Sequence, residues 1–398
     1  MKQEKLNREP LVSAVIPAYN AESYIEETIQ SLLQQTSPLT EIIIVDDCSN
    51  DNTVKIVSCL KKQYKGLVRL YQQKINSGAS TARNVGVNLA NTEWVLFMDA
   101  DDVAEPDLIK MELEQIRKLI NLWQEEVVLA YPACSIISAS GESIPGIHQS
   151  KQVGHEEILG YQFVRNQIIT TSGTLVKKQI FQRVNGFDES IRYSEDWDLW
   201  LRMAAQGGFA YIDQPLVRVR RHFTNISKKL DNMLGGEQQI LRKYSFDFIQ
   251  SAIDKRKLAW EENRADFVSV IFRIGCWAEG FEIAGSIVAN KPDYPKSLFL
   301  IGLYYLSQKD WINAKEAFEK VLQIEPNNGA ALNNLGAILV LLDKIEDAKG
   351  LLLKALSLFP NFLDASENLS ILEDDNRNLD NLRFTWRELR PVLTVYTH

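Results

Sequence analysis

The sequence predicts two folds in one chain, a doubly wound, Rossmann-like α/β sheet followed by an all-α helical repeat. From residue 11 onwards, short apolar runs alternate with segments of helical apolar spacing. From about residue 263 to residue 372, the sequence instead repeats itself at an interval of 34 residues. We therefore expect a sheet in the first part of the chain and stacked helix pairs in the second.

Four strands come first and alternate with helices. The run that ends at Pro17 is a strand, and the following segment carries apolar residues at i, i+3 and i+4, as one face of a helix does. The alternation of strand and helix implies parallel strands with right-handed crossovers. The predicted strands are 11–17, 41–47, 68–71 and 94–98, with helices near 24–33, 54–60 and 80–90.

The strands after residue 125 are less regular, at 127–131, 172–176 and 209–213, with a helix near 196–205. This pattern favours a mixed second half of the same sheet over a second separate domain.

The helical part has the period of tetratricopeptide repeats. Gly302 recurs at Gly336 and Pro326 at Pro360, with small residues where paired helices cross and proline after the second helix. We expect these repeats to bind a protein or peptide partner or to mediate self-association; so short an array could instead act as a stabilising cap. The predicted domains are the sheet domain at 1–228, a helical connector at 229–262, the repeats at 263–372 and a tail at 373–398.

Composition excludes several classes of function. The net charge of −8 and the absence of a basic, aromatic-rich stretch argue against nucleic-acid binding. No apolar run approaches the roughly 20 residues that span a bilayer, and residues 1–10 lack the apolar core of a signal peptide. We therefore expect a cytoplasmic protein with no membrane span.

Three acids, Asp99, Asp101 and Asp102, follow the apolar run 94–98. They should lie at the carboxyl end of a buried strand, where open α/β sheets bind ligands. Carboxylates so close together repel one another unless a cation compensates them, and Mg²⁺ or Mn²⁺ held with a diphosphate would do so. The alternative is an acidic surface turn in which Asp102 caps the next helix.

Other polar motifs follow the neighbouring strands. The first strand ends without a G-x-G-x-x-G loop, which argues against dinucleotide binding, but Tyr19 offers a ring that could stack on a base. After the second strand, the pair Asp46 and Asp47 offers acceptors for a base N–H or ribose hydroxyls. Arg83, on the first turns of a helix after Gly78, could reach a phosphate; an ordinary helix start is the equal alternative.

A further acidic group, Glu195, Asp196 and Asp198, is interleaved with Trp197 and Trp200 at a helix start. Capping explains one acid there better than three. A carboxylate beside aromatic rings suits a general base that deprotonates a sugar hydroxyl while the rings pack on the sugar.

The basic segment 216–227 follows the last predicted strand and contains His222 among several arginines. A lone histidine is more often structural, but here it could complete a metal shell or contact a diphosphate.

Taken together and in order, these motifs resemble the family 2 glycosyltransferases over about residues 10–228. The motifs are V-S-A-V-I-P-A-Y-N, I-I-I-V-D-D-C-S-N-D-N-T, S-G-A-S-T-A-R-N-V-G, V-L-F-M-D-A-D-D and G-F-D-E-S-I-R-Y-S-E-D-W-D-L-W-L-R. The resemblance implies the A-type glycosyltransferase fold, a nucleotide-sugar donor, and metal-assisted transfer with inversion. The Q-x-x-R-W motif of processive members is missing, which favours single sugar additions.

The resemblance also assigns roles by position. Tyr19 would stack on the base and Asp47 would bind uracil. Asp196 would be the catalytic base, with Glu195 beside it. The donor-binding residues would be Pro17, Tyr19, Asp46, Asp47, Arg83 and Asp99, and the metal ligands Asp101, Asp99 and His222.

The sequence therefore predicts a non-processive hexosyltransferase-like enzyme of cell-envelope or polysaccharide biosynthesis. It would use a UDP-sugar, Mn²⁺ or Mg²⁺, and a glycan, lipid-linked or protein acceptor. Two alternatives remain open: a sugar nucleotidyltransferase, and an inactive scaffold that acts through its repeats.

Overall fold

The computed structural model describes residues 11–222, 230–374 and 378–387, and for residues 230–234 the backbone alone. The start of the chain and the T-V-Y-T-H end of the predicted tail lie outside these residues. The chain forms two compact units, Met1–Ser245 and Phe246–His398. Each unit has its own core and is described by itself.

The first unit is built on one mixed sheet, in the order β3-β2-β1-β4-β8-β6-β9-β5, with β7 paired to β6. Strands β1 to β4 are parallel, whereas β8 runs antiparallel to both of its neighbours. The strands are β1 Val12–Ala18, β2 Glu41–Asp46, β3 Val68–Gln72, β4 Trp94–Phe97, β5 Val103–Ala104, β6 Val127–Ser138, β7 Ser143–His148, β8 Thr174–Lys177 and β9 Gly208–Arg221.

Helices pack on both faces of this sheet and bury two apolar clusters, one on each side, as the alternation of side chains along buried strands requires. The helices are α1 Ile25–Leu33, α2 Thr53–Gln63, α3 Ala79–Leu89, α4 Leu108–Trp123, α5 Ile158–Val164, α6 Lys178–Arg183 and α7 Glu195–Ala204.

The predicted α/β class with a mixed second half is confirmed. Some details of the prediction were wrong. Pro17 does not stop the first strand, because β1 continues through Ala18 in register with β2. The strands expected at 127–131 and 209–213 are the beginnings of the much longer β6 and β9, which pair with each other along most of their length.

The second unit consists of stacked helices. Helix pairs α10 with α11, α12 with α13 and α14 with α15 pack side by side. The helices from residue 230 onwards are α8 Leu230–Leu241 in the first unit, then α9 Phe246–Asp254, α10 Trp260–Ile274, α11 Trp277–Asn290, α12 Pro295–Ser307, α13 Trp311–Ile324, α14 Gly329–Leu341, α15 Ile345–Leu358 and α16 Leu363–Glu373.

The repeat prediction is confirmed where it is most demanding, at the helix crossings. A Cβ placed on Gly302 would lie 2.7 Å from Phe318 Cε1, and one on Gly336 would lie 2.9 Å from Leu352 Cγ. Because the helices approach so closely, each of these repeat-equivalent positions requires a residue with no side chain. Among the described residues, no helix has the length and apolar character needed to cross a membrane.

Candidate active site

The carboxyl ends of the parallel strands bring several predicted site residues to one edge of the sheet. Pro17 pairs with Val45 near the end of β1, and the backbone N–H of Asp47 donates to Ala18 O at 2.8 Å. Tyr19 follows at this edge with its side chain 49% exposed. The exposed ring therefore stands where the first two strands end together.

Asp47 organises the loop that leads into α3. Its carboxylate is buried and accepts hydrogen bonds from Gln73 Nε2 at 2.8 Å, Ser77 N at 2.8 Å and Gly78 N at 2.7 Å. Gly78 has a φ of +90°, a conformation that residues with a Cβ rarely adopt. The glycine thus lets the backbone N–H turn towards the carboxylate just before α3 begins.

Asp46 is also buried but is less fully paired. Its Oδ2 accepts from Ser49 N at 3.3 Å, whereas its Oδ1 has no hydrogen-bond partner among the described residues. Buried carboxylate oxygens are usually paired, so an unpaired one is a feature to be explained.

Arg83 connects the strand that carries the acids to the helix that carries the Glu195–Asp196 pair. Its Nη2 donates to Asp99 Oδ1 at 2.7 Å and its Nη1 lies 3.4 Å from Glu195 Oε1. Burial acts to lower the pKa of Arg83, but Asp99 and then Glu195 outweigh it and raise the pKa above its usual value. The buried guanidinium therefore stays charged and holds the two acidic groups at one site.

Close packing of α3 against the sheet sets the position of Arg83. Gly86 faces β1, and a Cβ there would lie 2.3 Å from Val15 Cγ1. The R-N-V-G sequence thus combines a charged side chain at the sheet edge with a contact that only glycine permits.

The structure pairs Asp101 with His222 and places Asp99 near enough to Asp101 for their charges to repel. Asp101 Oδ2 lies 2.7 Å from His222 Nε2, and the imidazole ring stacks on Tyr24 with ring centroids 5.3 Å apart. Burial and then repulsion from Asp99 raise the pKa of Asp101, while His222 opposes this rise. Negative charge is therefore concentrated at this point of the site.

Asp102 does not cap the next helix, so that prediction is wrong. Its buried carboxylate accepts from Ser172 Oγ and, at 2.8 Å, from Arg220 N, and α4 begins only at Leu108. Burial, then the charges of its neighbours Asp101 and Asp99, raise its pKa well above the usual range. Asp102 ties the acidic loop to β9.

Sequence reasoning missed two residues that hold this loop. Ser172 Oγ accepts from Asp99 N at 2.9 Å while donating to Asp102. Arg220, 2% exposed, donates from Nε to Asp101 O at 2.8 Å and from Nη2 to Glu27 Oε2 at 2.6 Å. The predicted strand at 172–176 and the basic segment were the available signals, but neither indicates which side chain turns inwards.

Asp196 lies in the first turn of α7, just after Ser194, which has a φ of +62°. Its Oδ2 accepts from Asn166 Nδ2 at 3.1 Å. Burial and then the charge of Glu195 raise the pKa of Asp196 to about 7, although the Trp197 N–H, Arg83 and Asn166 favour the ionised form. A carboxylate with this pKa can accept a proton near neutral pH.

The prediction that Trp197 and Trp200 pack on a sugar is wrong. Their side chains are 2% and 0% exposed, and Trp197 Nε1 donates to Gln162 O at 2.7 Å within the core. The third acid of this group is structural too, because Asp198 is buried against Arg202 and Lys243. Amphipathic helix spacing explains these residues, and only Glu195 and Asp196 remain at the site.

Within the ranges that the structure describes, no cluster of three or more His, Cys, Asp or Glu side chains is suited to hold a metal ion. Asp101 and His222 form a pair, and the charge of Asp99 acts on Asp101 from beside it. A metal bound here would need further ligands beyond those that the described residues bring together.

Comparison with known proteins matches both units. Residues 13–184 match the family described as Glycosyl transferase family 2, and residues 305–367 match a tetratricopeptide repeat family. The sheet match covers the strand ends at Tyr19, Asp47 and Asp99.

Individual relatives agree. A putative teichuronic acid biosynthesis glycosyltransferase, TuaG, of Bacillus subtilis is 30% identical over 206 residues, which are 52% of this chain and 76% of that protein. An uncharacterized glycosyltransferase of Haemophilus influenzae is 28% identical over 56% of this chain and 72% of its own length. A chondroitin synthase of Escherichia coli is 29% identical over 66% of this chain but only 38% of its own length.

Proposed function

Because the chain belongs to glycosyl transferase family 2, we propose that it moves a sugar from a UDP-sugar to an acceptor hydroxyl with inversion at the anomeric carbon. The observation that carries this proposal is the Arg83 bridge, which joins Asp99 at the end of β4 to Glu195 beside Asp196. One end of this bridge lies beside Asp101, where a metal ion that carries a diphosphate would find carboxylate ligands. The other end lies beside Asp196, a carboxylate suited to accept a proton.

The donor nucleotide would bind across the ends of β1 and β2. The exposed ring of Tyr19 would stack on the base, with Pro17 at the same edge. Asp47 would bind the uracil imide through acceptor capacity that its loop contacts leave unused. Asp46 Oδ1, which has no partner among the described residues, would be a second acceptor beside it. Arg83 and Asp99 would contact the diphosphate and ribose side of the donor.

The acidic residues at β4 fit a divalent cation. Asp101 would be the main ligand of Mn²⁺ or Mg²⁺, with Asp99 and His222 beside it and phosphate oxygens filling the shell. Burial and then repulsion from Asp99 raise the pKa of Asp101, and a bound cation would favour its ionised form. When bound, the ion would stabilise negative charge on the departing diphosphate.

Asp196 would act as the base. Its carboxylate takes the proton of the acceptor hydroxyl, whose oxygen forms a bond to the anomeric carbon from the face opposite the leaving group. The bond from that carbon to the diphosphate breaks, and the diphosphate leaves with the bonding electron pair. Burial and then the charge of Glu195 keep the pKa of Asp196 high, and Arg83 limits that rise.

The acceptor would be a sugar hydroxyl on a glycan or lipid-linked saccharide. Two of the relatives are named for teichuronic acid biosynthesis and chondroitin synthesis, both of which concern polysaccharides. The missing Q-x-x-R-W motif favours addition of one sugar at a time.

Donor turnover tests the proposal without knowledge of the acceptor. The full chain would be incubated with Mn²⁺, individual UDP-sugars and methanol as a simple acceptor, and release of UDP would be measured. The configuration of the methyl glycoside would be assigned by NMR, because a free sugar formed with water would mutarotate. We expect UDP release with at least one donor, an inverted methyl glycoside, and a large loss of release in Asp196→Asn.

A retained configuration would overturn the inverting mechanism. Pyrophosphate release from a nucleoside triphosphate plus a sugar phosphate would instead support a sugar nucleotidyltransferase.

A further inference from the structure

A segment of the predicted tail, which had no assigned role, lies against the repeats. We call residues 382–386, Leu-Arg-Phe-Thr-Trp, the strap. Helices α14 and α16 contact its backbone through asparagine side chains, and two tryptophans of the helical unit contact its rings. Leu382 and Phe384 pack on the apolar core of this unit.

Asn334 and Asn368 bind the backbone of the strap. Asn334 accepts from Thr385 N at 2.6 Å and donates to Thr385 O at 2.9 Å. Asn368 does the same for Arg383, at 2.7 Å from its N and 2.8 Å from its O. Pairing of alternate residues through both N–H and C=O is how an extended chain is bound along one edge. Such contacts accept any residue that has a free backbone N–H.

The two asparagines occupy equivalent places in successive repeats. Asn334 and Asn368 are separated by the repeat interval of 34 residues, and both are 0% exposed, as is the adjacent Asn333. Asn333 Nδ2 donates to Arg383 O and to Thr385 Oγ1, each at 3.0 Å. A buried amide is costly unless it is hydrogen-bonded, so a chain that covers this face of the repeats must offer polar groups that pair with these amides.

The side chains of the strap add selectivity. Phe384 stacks on Trp311, with an angle of 9° between the ring planes. The ring centroids of Trp386 and Trp277 are 5.7 Å apart. The groove also carries two acids: Asp364 accepts from Thr385 Oγ1 at 2.7 Å, between the rings, and Glu367 pairs with Arg383 at 2.8 Å, before the first ring. The groove therefore suits an extended peptide with rings at alternate positions and a basic residue before the first ring.

We propose that this groove is a recognition site that the chain closes with its own strap, and that an extended segment of a partner protein with the same chemistry displaces the strap. The exposure of the strap supports exchange: the Trp386 side chain is 46% exposed, and the Arg383 pair lies at the surface. The contacts that bury the asparagines would form equally with an incoming backbone. This proposal does not depend on the transfer reaction.

A labelled peptide of residues 379–387 is the probe, and the protein is the full chain. The double variant Phe384→Ala/Trp386→Ala weakens the binding of the strap, so that the groove is open for a larger fraction of the time. The affinity of the peptide for this variant should be at least about tenfold higher than for the unaltered chain. Adding Asn334→Ala and Asn368→Ala to that variant should abolish the gain, whereas adding the exposed Asn290→Ala should leave it unchanged. A scrambled peptide should bind neither variant.

Equal, weak binding of the peptide to the unaltered and strap-weakened chains, both folded by circular dichroism, would overturn the proposal and leave the strap a fixed part of the fold. If the strap-weakened chain does not fold, Arg383→Glu provides the test. It replaces the exposed pair with Glu367 by repulsion between two carboxylates, leaves the backbone contacts of the strap in place, and should still increase peptide binding. No increase in this folded variant would count against exchange.

Discussion

The sheet unit and the repeat unit differ in how they treat buried polar side chains. In the sheet unit, Asp46 and Arg83 are buried, and each has a side-chain atom with no hydrogen-bond partner among the described residues. In the repeat unit, Asn334 and Asn368 are buried, and both the oxygen and the nitrogen of each side-chain amide are hydrogen-bonded. The sheet unit also holds Asp196 at a pKa of about 7, a sign that the folded state disfavours its charge. Incomplete compensation is typical of a site that awaits a ligand, and complete compensation is typical of a site that already has one. The two regions should therefore respond in opposite ways when polar groups are removed.

The largest effect should come from Asp196→Asn. An amide cannot take the acceptor proton, so the rate of sugar transfer should fall by about 10²- to 10⁴-fold. Binding of UDP with Mn²⁺ should be unchanged, because the nucleotide contacts other residues. Steady-state rates and calorimetric UDP binding measure the two effects, and near-normal turnover would exclude Asp196 as the base.

Asp101→Ala should act on the other half of the site. Loss of this carboxylate should weaken Mn²⁺-dependent UDP binding by about 10- to 100-fold, at least as much as loss of a residue that only orients a metal ligand. Asp107→Ala, an exposed acid at the start of α4, is the matched control and should bind normally. UDP binding that is equally strong with and without Mn²⁺ in the unaltered chain would argue against the metal site.

In the repeat unit, Asn334→Ala should destabilise the protein. The change removes two hydrogen bonds to the strap from a buried position, at a cost of about 1–3 kcal/mol in the free energy of unfolding. Asn290→Ala, on an exposed helix surface, should change stability by less than about 0.5 kcal/mol. Chemical denaturation followed by circular dichroism compares them, and equal stability of the two variants would show that the strap is not bound as described.

Asp196→Asn should have the opposite effect on stability. Its pKa rises from an ordinary 3.8 to about 7 on folding, so the folded protein binds the proton more tightly and ionisation costs stability. That cost is absent below the ordinary value and complete above about 7. The asparagine variant should therefore be more stable at pH 8, by on the order of 1 kcal/mol, and should lose this advantage as the pH falls towards 4. Denaturation midpoints at both pH values test the sign.

Much of the fold could be predicted because its signals are local. The strand and helix periods of residues 11–98 and the recurrence of Gly302 at Gly336 follow directly from spacing. The lengths of β6 and β9 could not be predicted, since these strands stabilise each other through pairing between distant segments.

The candidate site divides in the same way. Its acids were recognised because they follow apolar runs. Which of them is structural could not be predicted, because Asp102 is held by Ser172 and Arg220, which lie far away in sequence. Trp197 was misassigned because a ring in an amphipathic helix has the same spacing whether it packs in the core or on a ligand. The position of the strap could not be predicted either. Asparagine side chains bind its backbone, and such contacts do not require particular residues in the strap.

The pH dependence of kcat, for sugar transfer or, failing an acceptor, for donor hydrolysis, tests the role of Asp196 most directly. If Asp196 is the base, kcat should rise about tenfold per pH unit in acid and level off above a pKa near 7, and the small residual rate of Asp196→Asn should show no such inflection. A kcat that is flat across neutral pH in the unaltered chain, or the same inflection in Asp196→Asn, would contradict it.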